Sequence, residues 1–104
     1  MTVPIYQTAT YQVERAAVED VKAAISEFVS YVRANEPGTE LYAAWQQQVD
    51  PTRFTHLFIF EDEAAQTTDS ESAAVSRFED KYSPHLVGPP VVFTDFTLIA
   101  DNIV

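Results

Sequence analysis

Two histidines, one tryptophan and several carboxylates are the side chains here whose types suit catalysis or ligand binding. His56 lies in the apolar run Phe-Thr-His-Leu-Phe-Ile-Phe and alternates with Phe54, Phe58 and Phe60. A histidine with a pKa tuned near neutrality can take a proton from a phenol. His56 is therefore the candidate general base, and the alternative is a core histidine held by hydrogen bonds.

Aromatic residues supply most candidates for ligand contact. Trp45 is the only tryptophan, and its ring can stack on a planar phenol or quinone or fill the core or an interface, since aromatic residues dominate both settings. His85 stands in a proline-rich loop, where a surface role competes with a ligand contact. Tyrosine hydroxyls can donate hydrogen bonds to a quinone oxygen. The candidate substrate-binding residues are Trp45, Phe58, Tyr82 and His85.

Asp95 is a carboxylate in the last apolar segment, between Phe93 and Phe96. A carboxylate in such a strand needs a partner, because burying an unpaired charge is costly. A structural ion pair is therefore expected. The partners considered are Arg53, Arg33 and Lys81.

Composition excludes several classes of function. Six Lys and Arg against 16 Asp and Glu give a formal net charge of −10, which repels nucleic acid and anionic lipid surfaces. The sequence has no cysteine and only two glycines, so thiolate chemistry, zinc–cysteine sites and glycine-rich phosphate loops are excluded. The two histidines form no HxH or HxxxH pattern, and no metal ion or other cofactor is expected.

Length and hydropathy predict a single domain. A chain of 104 residues has room for one hydrophobic core, so residues 1–104 are expected to fold as one unit. The N-terminal segment lacks the basic start and apolar run of a signal peptide, and no apolar stretch approaches the roughly 20 residues that span a bilayer. The expected location is the cytoplasm, with no membrane partner.

Hydrophobic periodicity predicts four strands and two helical regions. The expected strands are Ile5–Glu14, Thr39–Val49, Phe54–Phe60 and Val91–Ala100. From about Ala17 apolar residues recur at steps of three and four, and this helix ends where Pro37 cannot continue it and Gly38 accepts a turn conformation. The second helical region, 63–81, is expected in two pieces, with Ser70 and Ser72 as breaks or caps.

The element order β-α-β-β-α-β is typical of the ferredoxin-like α+β fold, a four-stranded antiparallel sheet with helices on one face. The third and fourth strands are apolar on both faces, although helices cover only one face of such a sheet. The second face is therefore expected to meet an identical subunit in a homodimer. The alternative is a monomer with a moderately apolar exposed face.

Five segments resemble, in their order and spacing, the antibiotic biosynthesis monooxygenase (ABM) domain. They are Asn35-Glu36-Pro37-Gly38-Thr39, Trp45, Asp50-Pro51-Thr52-Arg53-Phe54, Phe60-Glu61-Asp62-Glu63-Ala64-Ala65 and Val92-Phe93-Thr94-Asp95-Phe96. The resemblance extends from about Thr10 to Ala100 and implies a dimeric α/β barrel with a pocket between helices and sheet in each protomer. Characterised relatives include cofactor-free oxygenases of polycyclic phenols and quinols, and haem-degrading monooxygenases.

The resemblance also implies one further candidate residue. Asp69 stands where many family members carry a histidine, which implies an acid or base role, against the alternative of a solvated carboxylate at a helix end. Phe58 stands where many members carry a glutamate. The sequence has no Trp or His between Glu61 and Pro84, and this departure from the haem degraders disfavours haem breakdown.

Two hypotheses of function follow. The first is an oxidoreductase: a cofactor-independent monooxygenase acting on a small aromatic substrate such as a phenol or quinol, with His56 and Asp69 as catalytic residues. Such a substrate supplies its own electrons once deprotonated, so the protein needs a dry aromatic pocket, a base and oriented donors. The second is a non-catalytic dimeric barrel that binds a small hydrophobic ligand or a partner.

Overall fold

The computed structural model describes residues 3–102, so the ends of the predicted domain, 1–2 and 103–104, lie outside the described residues. The strands are β1 (Ile5–Gln12), β2 (Thr39–Gln46), β3 (Arg53–Phe60) and β4 (Val92–Phe96), and the helices are α1 (Val18–Asn35), α2 (Glu63–Ser70) and α3 (Ala73–Tyr82). This order confirms the predicted ferredoxin-like α+β fold. Within the described part, no helix combines the length and apolar character needed to cross a bilayer.

The sheet is antiparallel throughout, with the strand order β2-β3-β1-β4. Side chains alternate between the two faces of a strand, and directly paired residues share a face. The register therefore defines an inner face, packed against the helices, and an outer face. The inner face carries Gln7, Ala9, Tyr11, Tyr42, Ala44, Phe54, His56, Phe58, Phe60, Phe93 and Asp95, and the outer face carries Tyr6, Thr8, Thr10, Leu41, Ala43, Trp45, Thr55, Leu57, Ile59, Val92, Thr94 and Phe96.

Helix α1 covers one end of the inner face with an apolar stripe. Its buried residues recur at helical spacing and are Val21, Ala24, Ile25, Phe28 and Val32. They pack with Phe78 and Tyr82 of α3 and with Tyr11 and Phe54 of the sheet in one core cluster. Burial of this stripe fixes α1 on the sheet, so the helix end at Asn35 delivers the next residue, Glu36, to the start of β2.

The predicted division of the second helical region is confirmed, and both pieces begin at a side-chain cap. The Asp62 carboxylate accepts the Ala65 N–H at 2.9 Å, and the Ser72 hydroxyl accepts the Val75 N–H at 3.0 Å. Each cap satisfies a backbone donor that the first helical turn leaves free. The break between Ser70 and Ala73 lets α2 and α3 run over different parts of the inner face.

Gly38 serves close packing and not a special backbone conformation. The turn predicted at Pro37 and Gly38 is present, and it needs no left-handed backbone, because Gly88 has a positive φ (75°) and Gly38 does not. A Cβ atom at Gly38 would lie 2.7 Å from the Cβ of Ala65 on α2, closer than side chains approach. Glycine here lets α2 rest directly on the turn that follows α1.

Candidate functional site

A cavity of about 260 Å³ lies between the inner face of the sheet and helices α2 and α3. Its apolar lining includes Phe58, Phe60, Phe78 and Phe93. Its polar groups include the hydroxyls of Tyr11, Tyr42 and Tyr82, the imidazole of His56 and the carboxyl of Asp69. A mostly apolar cavity with a few converging polar groups is the usual form of a small-molecule site.

His56 lies in the cavity wall with only 1% of its surface exposed, because it points inward with Phe54 and Phe58 along β3. The hydroxyl of Tyr11 is 2.8 Å from Nε2, and the hydroxyl of Tyr42 is 3.0 Å from Nδ1. A neutral imidazole carries one N–H and one bare nitrogen. One tyrosine therefore donates to the ring and the other accepts from it, and both ring nitrogens are occupied.

The Tyr11–His56–Tyr42 network is neutral. Burial lowers the pKa of His56 to about 4, so its imidazole is uncharged at pH 7. Burial is also the main cause of the raised pKa values of Tyr11 and Tyr42, and both remain phenols. The near-neutral pKa considered for His56 from the sequence is not found, because the ring is desolvated and its partners are hydroxyls, not a carboxylate.

A ligand in the cavity meets the nitrogens of His56 through a tyrosine. Phe78 stacks on the imidazole with ring centroids 5.7 Å apart and an interplanar angle of 28°, while Tyr11 and Tyr42 occupy its edge. The tyrosine hydroxyl that donates to the imidazole keeps free lone pairs and can accept a proton from a ligand. The tyrosine hydroxyl that accepts from the imidazole keeps its own O–H and can donate it. The network can therefore relay a proton in either direction.

Asp69 lines the same cavity from α2 and is 9% exposed, so it is not the solvated helix-end carboxylate of the alternative interpretation. Burial first, and then a hydrogen bond and the charge of Glu36, raise the pKa of Asp69 to about 8. Glu36 is itself 5% exposed. Two buried carboxyl groups thus meet beside the cavity.

Glu36 is a site residue that the sequence does not single out, because it stands there only within the segment Asn35-Glu36-Pro37-Gly38-Thr39. Its contact with Asp69 depends on α2 packing onto the turn after α1, and no local pattern reveals that packing. The Thr39 hydroxyl donates to Oε1 of Glu36 at 3.2 Å and so fixes the direction of the Glu36 side chain.

The predicted substrate-binding residues divide into two pairs. Phe58 and Tyr82 line the cavity, whereas Trp45 and His85 do not. Trp45 pairs with Thr55 in the register of β2 and β3, which places it on the outer face with 54% of its surface exposed. His85 lies in a short 3₁₀ turn after α3, where its Nδ1 is 2.6 Å from the carboxylate of Glu14. The structure therefore places neither Trp45 nor His85 in the lining of this cavity.

The partner of Asp95 also differs from the expectation. The side-chain amide of Gln7 donates to the Asp95 carboxylate at 2.9 Å, and none of the three cations considered is its hydrogen-bonding partner in the part of the chain that is described. Gln7 and Asp95 are directly paired between β1 and β4. Because this end of β4 is exposed, water solvates the carboxylate and no cation is needed.

The family model described as antibiotic biosynthesis monooxygenase matches residues 4–81. The chain belongs to the antibiotic biosynthesis monooxygenase family. The matched range includes the whole tyrosine–histidine network and both members of the Glu36–Asp69 pair, so the resemblance recognised in the sequence is confirmed. The final strand of this ABM chain lies beyond the matched residues.

Solved structures share the whole fold of the ABM chain at low sequence identity. A protein from Bacteroides thetaiotaomicron that is named for the same family has a TM-score of 0.87 at 17% identity, covering 97% of this chain and 94% of its own. A Caulobacter crescentus protein named likewise has a TM-score of 0.86 at 17% identity, covering 95% and 92%. A Mycobacterium tuberculosis protein has a TM-score of 0.84 at 14% identity, covering 97% and 100%. Comparison with curated protein sequences finds no match.

Proposed function

We propose that this ABM-family chain is a monooxygenase that oxidises a small, electron-rich phenol in the cavity without a resident metal or flavin. The observation that carries the proposal is the neutral Tyr11–His56–Tyr42 network in the wall of an aromatic cavity. The network offers a proton acceptor to a phenol, and the apolar lining keeps water from the reacting ring.

The proposed reaction converts a phenol and O₂ into a quinone and water. One ring C–H bond and the phenolic O–H bond break, one oxygen atom becomes the new carbonyl, and the other leaves as water with both hydrogens. The substrate supplies all four electrons that reduce O₂. No external reductant is therefore required.

The tyrosine–histidine network supplies a path for the phenolic proton. In the tautomer with a bare Nδ1, the oxygen of Tyr42 accepts the substrate proton while its own proton moves to His56. Tyr11 then accepts the N–H at Nε2 and disperses the positive charge of the ring. Because the pKa of His56 is low, the imidazole holds this proton only briefly and returns it as oxygen is transferred.

The charges around the cavity favour a neutral substrate. None of the residues that line it, among those described, is a lysine or arginine, whereas Asp69 and Glu79 are both present. A carboxylated or phosphorylated aromatic compound would meet no counter-ion there and would be repelled by the carboxylate of Glu79. We therefore expect unsubstituted or alkylated phenols and naphthols to bind best.

We also propose that the working form is a homodimer joined through the outer face. Members of the family are typically dimeric, and large apolar side chains on this face are substantially exposed in one copy, namely Leu41, Trp45, Val92 and Phe96. Covering them with a second sheet removes this apolar surface from water. A two-fold axis provides the covering surface from the same residues.

Oxygen uptake with purified, metal-free protein tests the enzymatic proposal. A panel of phenols and naphthols should include at least one whose oxidation is accelerated, and His56→Gln should lower kcat by about 10²-fold, the typical contribution of a positioned base. His85→Gln is the matched control and should leave the rate unchanged, because His85 lies outside the cavity. Equal losses in both variants, or no uptake with any compound, would overturn the proposal.

A second candidate function is ligand binding without turnover. It is favoured by the hydrogen bonds of His56, since both nitrogens are occupied by tyrosines as in a structural core histidine. Under this alternative, 1-naphthol binds in calorimetry with one site per chain, yet catalysed oxygen uptake is absent. Accelerated uptake that depends on His56 would exclude it.

A further inference from the structure

Two buried oxygen atoms beside the cavity have no hydrogen-bond partner when both carboxyl groups are counted as ionised. They are Oε2 of Glu36 and Oδ1 of Asp69. Buried polar atoms are nearly always hydrogen-bonded, and an exception in a native fold calls for a physical reason. Two such atoms, on carboxyl groups that face each other, indicate that one of the two carboxyl groups carries a proton.

One proton shared by the two carboxyl groups gives these buried oxygen atoms a hydrogen bond. If Asp69 is a carboxylic acid, its O–H donates to the carboxylate of Glu36, and the pair then needs no further partner on that side. The Thr39 hydroxyl already donates to Oε1 of Glu36, which suits an ionised Glu36 and leaves Asp69 as the protonated member. Two carboxyl groups that share a site cannot easily both be charged.

We propose that Glu36 and Asp69 form a buried acid pair that stores one proton beside the cavity, that Asp69 delivers it to the oxygen atom leaving the substrate, and that Glu36 is the positioning residue that keeps Asp69 protonated. Asp69 touches the cavity and Glu36 does not. The part of this inference concerning delivery rests on the proposed monooxygenase function, whereas the part concerning the shared proton does not.

The delivery step balances in protons and electrons. When the O–O bond of the oxygenated phenol breaks, the departing oxygen, which has received the phenolic proton back from His56, is a far stronger base than the Asp69 carboxylate, so the stored proton moves to it and water leaves. The pair is then doubly charged and takes up the proton of the ring C–H bond that breaks. No proton is consumed over the cycle, and the four electrons still come from the phenol.

The groups that face Asp69 permit this assignment. They are Glu36 at the end of α1, Tyr11 of β1, Tyr42 of β2, His56 of β3, and Glu79 and Tyr82 of α3. Of these, the tyrosines and His56 are neutral at pH 7, because burial shifts their pKa values away from that range. No cation lining the cavity in the described part of the chain competes for the Asp69 carboxyl.

Carbon-13 NMR titration of the aspartate carboxyl groups tests the pair without any substrate, with Asp69→Asn identifying the Asp69 signal. In the wild-type protein Asp69 should titrate well above the ordinary range of an aspartate. Glu36→Gln should move that titration to lower pH by about one pH unit or more, because the glutamine amide donates to the ionised form and the Glu36 charge is gone. Burial should still hold it above the ordinary value.

Glu40→Gln is the matched control, since it removes the same charge from an exposed side chain four residues away in the sequence. It should leave the Asp69 titration in place. An Asp69 that titrates in the ordinary acidic range in wild type, or that responds equally to both glutamine variants, overturns the acid pair. Both glutamine substitutions keep side-chain shape, and circular dichroism verifies that each variant is folded.

The pH profile of 1-naphthol oxidation tests delivery. Since a general acid must be protonated to act, kcat should fall as pH rises through the titration of Asp69. Glu36→Gln should move this fall to lower pH by the amount that NMR measures, with little change in KM. If Glu36→Gln moves the Asp69 titration in NMR but leaves the pH dependence of kcat in place, the delivery of the proton by Asp69 is overturned. If no phenol is oxidised at all, the proposed function and delivery fail together, while the titration still decides whether the pair exists.

Discussion

The inner and outer faces of the same four strands show that apolar content alone does not identify a site. Along β3, Phe58 points inward to the cavity and Ile59 points outward, one residue apart and similar in hydrophobicity. The aromatic rings of the inner face surround hydrogen-bonded polar groups, whereas the largest ring of the outer face, Trp45, is half-exposed. The cavity is marked by polar groups that converge on and hydrogen-bond one another, as the two tyrosine hydroxyls do on His56.

A lysine placed on each face in turn should have very different effects on the protein. Phe58→Lys removes a buried ring and places a charge among aromatic side chains, so the free energy of unfolding should fall by about 4 kcal/mol or more. Ile59→Lys should leave the monomer folded and dissociate the dimer. Circular dichroism and light scattering, referred to the 11.7 kDa chain, separate the two results. Equal unfolding by both lysines would contradict the assignment of faces.

A smaller effect is expected from removing one hydroxyl of the inner face. Tyr42→Phe keeps the ring that stacks on Phe58 but leaves Nδ1 of His56 without its partner. The free energy of unfolding should fall by about 1–3 kcal/mol, the usual cost of a buried unpaired polar group. Tyr6→Phe, on the outer face, is the control, and urea denaturation is the measurement. A loss as large in Tyr6→Phe would mean that the network contributes nothing specific.

His56 and Asp69 should change the free energy of unfolding in opposite directions as pH rises. The folded pKa of His56, about 4, lies below its ordinary value of 6.5, so His56 makes the protein more stable as pH rises between those values. The folded pKa of Asp69, about 8, lies above its ordinary value of 3.8, so Asp69 makes the protein less stable as pH rises between those values.

These slopes nearly cancel between about pH 4 and 6.5, and only the decline caused by Asp69 remains from there to about pH 8. Asp69→Asn should remove that decline and uncover the rise caused by His56. Urea denaturation of both proteins at several pH values measures the difference. An unchanged decline above pH 6.5 in Asp69→Asn would assign it to another group.

The smallest effect is expected at Trp45. Trp45→Phe should leave the affinity for 1-naphthol unchanged in calorimetry, because the ring lies on the face away from the cavity. Any effect should appear in the dimer dissociation constant, since a smaller ring buries less apolar area. Weakened naphthol binding with an unchanged dimer would reverse the assignment of this residue.

The sequence predicts what depends on near neighbours. The apolar stripe of α1, the Ser72 cap and the order of elements all follow from spacings of a few residues, and the structure has them. The side of the sheet that receives Trp45 depends on strand register, in which a slip of one residue exchanges the faces. The partnership of Glu36 and Asp69 joins residues 33 positions apart through the packing of a helix on a turn, and no local pattern encodes it.

The geometry of the Glu36–Asp69 pair beside the cavity depends on Gly38, a residue that lies outside the cavity. The Cβ of even an alanine there would collide with Ala65 at 2.7 Å, so α2 would have to lift and carry Asp69 away from Glu36. A mutational scan should therefore find this turn among the least tolerant positions of the chain, although it touches no ligand. Relatives that accept a larger residue at the equivalent turn are expected to lack the buried acid pair, which makes one small residue a marker for dividing the family.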